Sequence, residues 1–543
     1  MTSVTELILV GGKLHTQDPD YPRATAVAIH GRHVRAVGDD DEIRLLAGRH
    51  TRIVDLEGRL VLPGMTDGHV HYYDWSLGLR RLPLAETPSL AEVKRRVAER
   101  AQETEPGEWV LGQGWNESRW PEARMPTRDD LDAVAPDNPV IIWRNDLHLA
   151  VVNSRGLEEA GITADTPNPP EGVIDRDASG EPTGILRELA INLVTEVIPP
   201  PTEEETVDAM RDGFGLLHQL GVTGIHDYRI MGGADGPPAF RAYQRLQAES
   251  ALDLRMWMHI PGEKLGEAAA LGLRTGMGDD YLRVGHVKLF SDGGQGARTA
   301  WMLEPYEDTG EPGMPLTPMG EIAEAVQLAD RSGLAVAVHA IGDRANRELV
   351  GVFEGILGGD RASDTAPPVA PHRIEHVQMI QPEDVERLAQ LGVVASVQPI
   401  HCPDDIPMIE TSVGPRGRFA YPFRDMLEAG VPMAFGSDCP VANPNPMFGI
   451  HAAVTRQTRD GKPSGGWYPE QRLTPAQAVW GFTMGTARVS GREDQMGSIT
   501  PGKLADLVVL DRDILALGES APEEIAKAEV AMTVFDGRVV YEV

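Results

Sequence analysis

RLVLPGMTDGHVHYYDW, residues 59–75, is the stretch from which the fold can be read. An apolar strand, Arg59-Leu60-Val61-Leu62, runs out through Pro63-Gly64, and two histidines one residue apart follow, His69 and His71. Alternate residues of a strand point to the same face, so both imidazoles aim into one space while Val70 faces away. A strand end can present two nitrogen ligands to one metal ion in this way. By itself the pair is equally compatible with surface decoration, since the chain has 16 histidines. Its meaning depends on what other segments supply.

From about residue 205 to 490, apolar strand-like runs alternate with amphipathic helical stretches. The runs are 221–226, 255–258, 285–290, 334–339, 373–376, 393–397 and 433–436, and the strand before His69 brings them to eight. Helical spacing fills the gaps, as in 322–331, 345–356 and 382–391, the last entered through a Pro-Glu-Asp first turn. Eight βα units predict a closed parallel (β/α)8 barrel with its chemistry at the C-terminal ends of the strands.

Both ends of the chain differ from this middle. Leu7-Ile8-Leu9-Val10, Ala26-Val27-Ala28-Ile29 and Val34-Arg35-Ala36-Val37 are short β runs broken by Gly and Asp turns. Residues 504–510 and 531–541 repeat that character, the second with an Asp536-Gly537 hairpin turn. The expectation is a small β-sandwich domain built from 1–62 and 491–543, with the barrel occupying 63–490. Residues 76–200 do not fit the barrel count and read as an insertion after the first barrel strand. It carries Trp109, Trp115, Trp120 and Trp143, with Trp75 at its edge.

Composition narrows the partners. The 543 residues carry 50 Lys and Arg against 82 Asp and Glu, a formal net charge of −32. Such a balance repels nucleic-acid phosphates and anionic membrane surfaces, so neither is an expected partner. The two cysteines, Cys402 and Cys439, form neither a CxxC pair nor a disulfide framework. With no signal-like N-terminus and no apolar run of ~20 residues, the expected location is cytoplasmic.

Candidate ligands then fall at five strand ends: His69 and His71 on the first, Lys288 on the fourth, His339 on the fifth, His376 on the sixth and Asp438 on the eighth. Neutral imidazoles and one carboxylate suit a divalent metal, with zinc the expected ion. Lys288 is the odd member, because an ammonium beside divalent cations is repelled. It either serves as a catalytic or salt-bridging lysine beside a single metal, or is chemically altered. His286 lies two residues before it and reads as a barrel-interior residue, and His226 as a supporting or packing residue. No chemical role is read for His372 or His451.

The set HVH, VKLFSDGG, VHAIGDRAN, HRIEHV and FGSDCPV resembles the metal-dependent amidohydrolase superfamily, and within it the branch containing the N-substituted formamide deformylases. The segments WRNDLHLAVVNSRGL, SDGGQGARTAW and GSITPGKLADLVVLD extend the resemblance over nearly the whole chain. The resemblance implies a carboxylated Lys288 whose carbamate bridges two metals, with one or two ions per chain. His69, His71 and Asp438 would hold the more buried ion, and His339 and His376 the more exposed one. A metal-bound hydroxide would attack a non-peptide amide, with Asp438 as general base and then general acid. A homodimer is the assembly the resemblance suggests.

For the small-molecule amide substrate the candidates are Trp115, Arg144 and His148 in the insertion, and Arg298 and Trp301 in the loop after the fourth strand. Tryptophans at 115, 120 and 143 suit either an apolar wall for a bulky substituent or ordinary packing of the insertion. The same barrel also supports a cyclic amidase or an ammonia-releasing aminohydrolase. A two-histidine, one-carboxylate subset suits a mononuclear iron oxidoreductase as well.

Overall fold

The computed structural model describes residues 5–85, 87–117, 120–144, 149–169, 172–229, 236–358 and 366–543. Its central sheet has eight parallel strands: β1 (Met65–Val70), β2 (Val222–Asp227), β3 (Arg255–Pro261), β4 (Leu282–Phe290), β5 (Val336–Ala340), β6 (Arg373–His376), β7 (Val394–Val397) and β8 (Met433–Phe435). Sequence neighbours are sheet neighbours throughout, from β1 to β8. The two edges meet just past β8, where Val70 and Cys439 form a single parallel bridge. The fold is a nearly closed (β/α)8 barrel.

Side-chain alternation explains which residues line it. On β5, Val336, Val338 and Ala340 join the outer core, which leaves Ala337 and His339 to the interior. On β4 Val287 faces outward and His286 and Lys288 inward. Helices Met319–Arg331, Asp343–Leu357 and Pro382–Leu391 cover the outer face with apolar stripes at helical spacing, such as Leu349, Val350 and Phe353.

Strands from both ends of the chain make two further sheets. One orders His33–Gly38, Ala26–His30, Leu7–Val10 and Arg52–Asp55; the other contains Val530–Phe535, Leu507–Leu510, Leu60–Pro63 and Lys13–His15 as neighbours. They share a core of Leu7, Leu9, Val27 and Ile29 against Val61, Leu507, Val509 and Val534. Leu60, Leu62, Val508 and Leu510 alternate to the opposite face and join the barrel's outer core.

One reading is corrected here. The apolar run Arg59–Leu62 is not the strand that carries the histidines. Leu60–Pro63 belongs to the terminal sheets, where burial on both faces accounts for its unbroken apolar character. The chain changes sheets at Gly64, where a Cβ would lie 2.4 Å from Thr223 Oγ1. The first barrel strand is Met65–Val70, whose Thr66, Asp67 and Gly68 hide it from a hydropathy pattern.

The barrel and terminal sheets form one compact unit, through Tyr73 and again from Arg211; Asp74–Met210 form another. The second unit has a six-stranded sheet with a separate apolar core on each face. No helix among the described residues is long and apolar enough to cross a membrane.

Arg255, at the start of β3, ties the barrel to the terminal strands. Its Nε and Nη2 donate to Asp506 at 2.7 and 2.9 Å, and Nη2 also donates to Asp536 at 2.9 Å, all three side chains being buried. Removing one partner of such a group leaves buried carboxylates unpaired and costs roughly 3–5 kcal/mol. Arg255→Met is expected to lower the denaturant-unfolding midpoint accordingly, and an unchanged midpoint would refute that role.

Candidate metal centre

The β1–β8 seam assembles the site. Asp438 N–H donates to His69 O and His71 N–H to Cys439 O, each at 2.7 Å. The strands come this close because position 436 is glycine: a Cβ there would lie 2.5 Å from His69 N. Asp67 Oδ1 staples the seam by accepting from His69 N–H (3.1 Å) and Ser437 N–H (2.9 Å).

Each histidine of the site has one ring nitrogen committed. His69 Nδ1–H donates to Glu375 Oε2 at 2.7 Å, His71 Nδ1–H to Tyr228 O at 2.9 Å, and His376 Nδ1–H to Gln398 Oε1 at 2.8 Å. His339 Nε2 contacts Gly293 O at 3.3 Å. On the first three rings Nε2 is therefore a lone pair. His69 Nε2 and His71 Nε2 face Asp438 Oδ1 at 3.5 and 3.0 Å, and the ligand atoms of these three residues lie within 4.8 Å of one another.

Three acceptors converging without a proton repel one another. His69 Nε2 and Asp438 Oδ1 are buried and have no hydrogen-bond partner among the described residues. Burial holds the His69 imidazole down at about 4, so it is neutral at neutral pH. A cation resolves the conflict, and this donor set fits a divalent metal.

His376 and His339 stand beside the triad, with ring centroids 5.1 Å (His69–His376) and 4.5 Å (His339–His376) apart. Strand parity would turn His376 outward with Ile374. Its φ of 75°, followed by 42° at Val377, redirects it into the site; Asp438 also has a positive φ, 62°. Such backbone in non-glycine residues is costly and clusters at functional positions. Lys288 Nζ lies 4.8 Å from the ring centres of both Tyr228 and Phe290. Burial lowers it to about 8, with Glu375 and Asp438 pulling the other way.

The remaining sequence candidates are placed as follows. Trp115 is fully buried in the Asp74–Met210 unit, where its Nε1–H donates to Ile142 O at 3.1 Å and it packs on Trp120. Of the two alternatives for this ring, a substrate wall or ordinary packing, the burial fits packing. Arg144 pairs with Glu117 at 2.8 Å in the same unit, and His148 lies outside the described residues. Arg298 is held by Asp308 at 2.6 Å. Trp301 is half-buried under the Arg344 guanidinium, and its N–H donates to Asp292. His226 and His286 are interior residues: His226 Nδ1 accepts from Arg373, and His286 Nδ1 from Trp257.

Two residues escaped the sequence reading. His401 begins the helix after β7, and its buried Nε2, with no hydrogen-bond partner among the described residues, lies 4.0 Å from Asp438 Oδ2. The strand-end rule, applied to VASVQPIHC, would have found it. Asp292 accepts from the N–H groups of Ile341, Gly342 and Trp301 at 2.8–3.0 Å, tying the loops after β4 and β5; burial nevertheless pushes it up to about 7. Its sequence signal is the SDGG motif, an acidic residue set before two glycines just past a barrel strand.

A parallel barrel whose strand ends gather two histidines and a carboxylate, with ligand atoms within 4.8 Å of one another, is the frame of a metal-dependent enzyme. The chain belongs to the amidohydrolase family, whose model matches residues 52–541. It is 33% identical to Protein LONG AFTER FAR-RED 3 of Arabidopsis thaliana, over 93% of this chain and 87% of that one. It is 29% identical to an N-substituted formamide deformylase of Arthrobacter pascens, over 100% and 99% respectively. The crystal structure of an uncharacterized metal-dependent hydrolase from Pyrococcus horikoshii OT3 matches with a TM-score of 0.77 and 29% identity, covering 95% of this chain and 99% of that one.

Two outcomes follow for metal-free and loaded protein. Buried His69 and His286 are held at about 4 and His339 at about 3, so the unfolded chain takes up their protons first. Their contribution to stability is complete above pH 6.5 and is lost as pH falls towards 4. Asp67 and Asp292, raised to about 7, act oppositely below pH 7. With His226, His259 and His376 also lowered, the histidines outnumber them. The thermal midpoint of metal-free protein should therefore fall between pH 6.5 and 4, and a rise would overturn the neutral assignment. Metal at a thousand times its Kd should add about 4 kcal/mol of stability, which His71→Ala should largely abolish in a melting assay.

Proposed function

We propose that this chain is a zinc-dependent enzyme that hydrolyses the amide C–N bond of an N-substituted formamide or a closely related acyl amine. The observation that carries the reading is the convergence of His69 Nε2, His71 Nε2 and Asp438 Oδ1 beside His339, His376 and Lys288. End-to-end collinearity with the Arthrobacter pascens deformylase supports the choice of substrate.

A divalent cation held there supplies Lewis-acid polarisation of a carbonyl and acidifies water. The protein's own contribution is acid–base and positional. Asp438 Oδ1 is turned to the two imidazoles, while Oδ2 faces His401. We assign Oδ2 as the oxygen that takes a proton from the attacking water and delivers it to the leaving nitrogen. His69, His71 and Asp438 would hold one ion and His339 and His376 a second. Lys288 as a carbamate would join the two, its lowered amine basicity favouring the modification. Arg298 and Trp301, in the loop after β4, remain candidates for contacting substrate. Two buried, unpaired cysteines accord with a cytoplasmic enzyme.

The compact His69–His71–Asp438 triad alone is also a two-histidine, one-carboxylate iron set, so the test begins with metal analysis. Zinc-loaded protein should release formate and an amine from N-substituted formamides, read by mass. One iron per chain with oxygen consumption would sink the hydrolase reading, and turnover of cyclic imides alone would move the substrate. Asp438→Asn should lower kcat/KM by about 10²–10⁴-fold. Lys288 should carry the mass of carbon dioxide in native spectrometry, and Lys288→Ala should lose activity that a small carboxylate partly restores. Full activity in that variant would refute the carbamate.

A further inference from the structure

Beneath the metal ligands the barrel interior is polar rather than aliphatic. Its centre is Arg373, a fully buried guanidinium at the start of β6. Nη1 donates to His226 Nδ1 on β2 at 2.9 Å. Nη2 donates to Gly68 O on β1 at 3.0 Å and to His259 Nε2 on β3 at 3.3 Å. Nε lies 2.6 Å from Glu375 Oε1 on its own strand. One side chain thus reaches four of the eight strands, which the planar fork of arginine permits and the point charge of lysine does not.

Two of these contacts bear on His69. Arg373 holds the carbonyl of Gly68, the residue before His69, and it holds Glu375, the carboxylate that accepts from His69 Nδ1–H. Tyr228 completes the arrangement. Its hydroxyl donates to Glu375 Oε1 at 2.8 Å, its ring stacks on His69 at 4.0 Å and on His259 at 3.7 Å, and its carbonyl accepts from His71 Nδ1–H. His259 gives its own Nδ1–H to Asp227 O, so its Nε2 is an acceptor for Arg373.

We propose that Arg373, acting through Glu375 and Gly68, is a positioning residue of the metal centre. It locks Glu375 as an acceptor and thereby holds His69 in the tautomer and orientation that present Nε2 to the metal. Tyr228 is the third member of the same clamp. The proposal rests on the metal centre above but not on the substrate assigned to it.

The test uses the full chain, Co²⁺ as probe and a competing chromophoric chelator, with far-ultraviolet circular dichroism of each metal-free variant as the control for folding. The double variant Arg373→Met/Glu375→Gln removes both buried charges together. It should fold yet lose about tenfold to a hundredfold in Co²⁺ affinity, with an altered visible spectrum of the bound ion. Arg373→Lys should not restore the wild-type spectrum, and full restoration would show that charge rather than geometry matters and would overturn the proposal. So would a folded double variant with wild-type affinity and spectrum. Should the double variant fail to fold, Tyr228→Phe decides: it removes a single donor to Glu375, and an unchanged affinity and spectrum would overturn the proposal. Failure to cleave formamides leaves these readouts intact, whereas a wild-type chain without Co²⁺ affinity would overturn both readings.

Discussion

Two backbone hydrogen bonds, Asp438 N–H to His69 O and His71 N–H to Cys439 O, hold the site together. They lie where β1 and β8 meet without a regular ladder, at the one bridge between Val70 and Cys439. Glycine at 68 and at 436 allows that approach, since a Cβ at either would sit within 2.7 Å of backbone across the seam. The triad of His69, His71 and Asp438 is therefore a product of barrel closure. Were the barrel open at this edge, its first and last strands would carry ligands to different places.

Closure also creates an electrostatic problem that the interior answers. Lone pairs and a carboxylate are brought together where a metal can sit, and burial keeps the imidazoles neutral. The protons that might otherwise occupy those nitrogens sit on the far side of each ring, on Nδ1, which donates to Glu375, to Tyr228 O and to Gln398 respectively. Positive charge at Arg373 and negative charge at Glu375 balance each other within the barrel. Barrel interiors are commonly layers of Val, Ile and Leu; here hydrogen-bonding side chains take that place, and they orient what lies above them.

The Asp74–Met210 unit spends its tryptophans on its own folding. Trp115 and Trp120 pack on one face of its sheet, and Trp143 on the other, with Trp115 and Trp120 donating to main-chain carbonyls. Aromatic enrichment in an insertion is thus a weak guide to substrate contact. A unit with one sheet and two apolar faces needs large side chains simply to fill both cores.

What could be read from sequence were features written in local periodicity. The apolar runs ending at His339 and His376, the run into Asp438, and the inward pair His286 and Lys288 announce strands and their ends, and eight of them imply a barrel. Locality also explains the errors. Leu60–Pro63 looks like the strand that leads to His69 because it is apolar on both faces, whereas the true strand carries Thr66, Asp67 and Gly68 for the seam. Parity would have turned His376 outward, and only its left-handed backbone brings it in. Glu375, Gln398 and Arg373 carry no signal of function in their spacing, because their partners are distant in the chain: His69 is 306 residues from Glu375, and Gly68 is 305 from Arg373. The sequence by itself determined that strand ends would offer histidines, a lysine and an aspartate on one rim. Tertiary structure alone decided which nitrogen of each ring is left without a proton, since a tautomer is chosen by the hydrogen-bond partner across the barrel and not by neighbours along the chain.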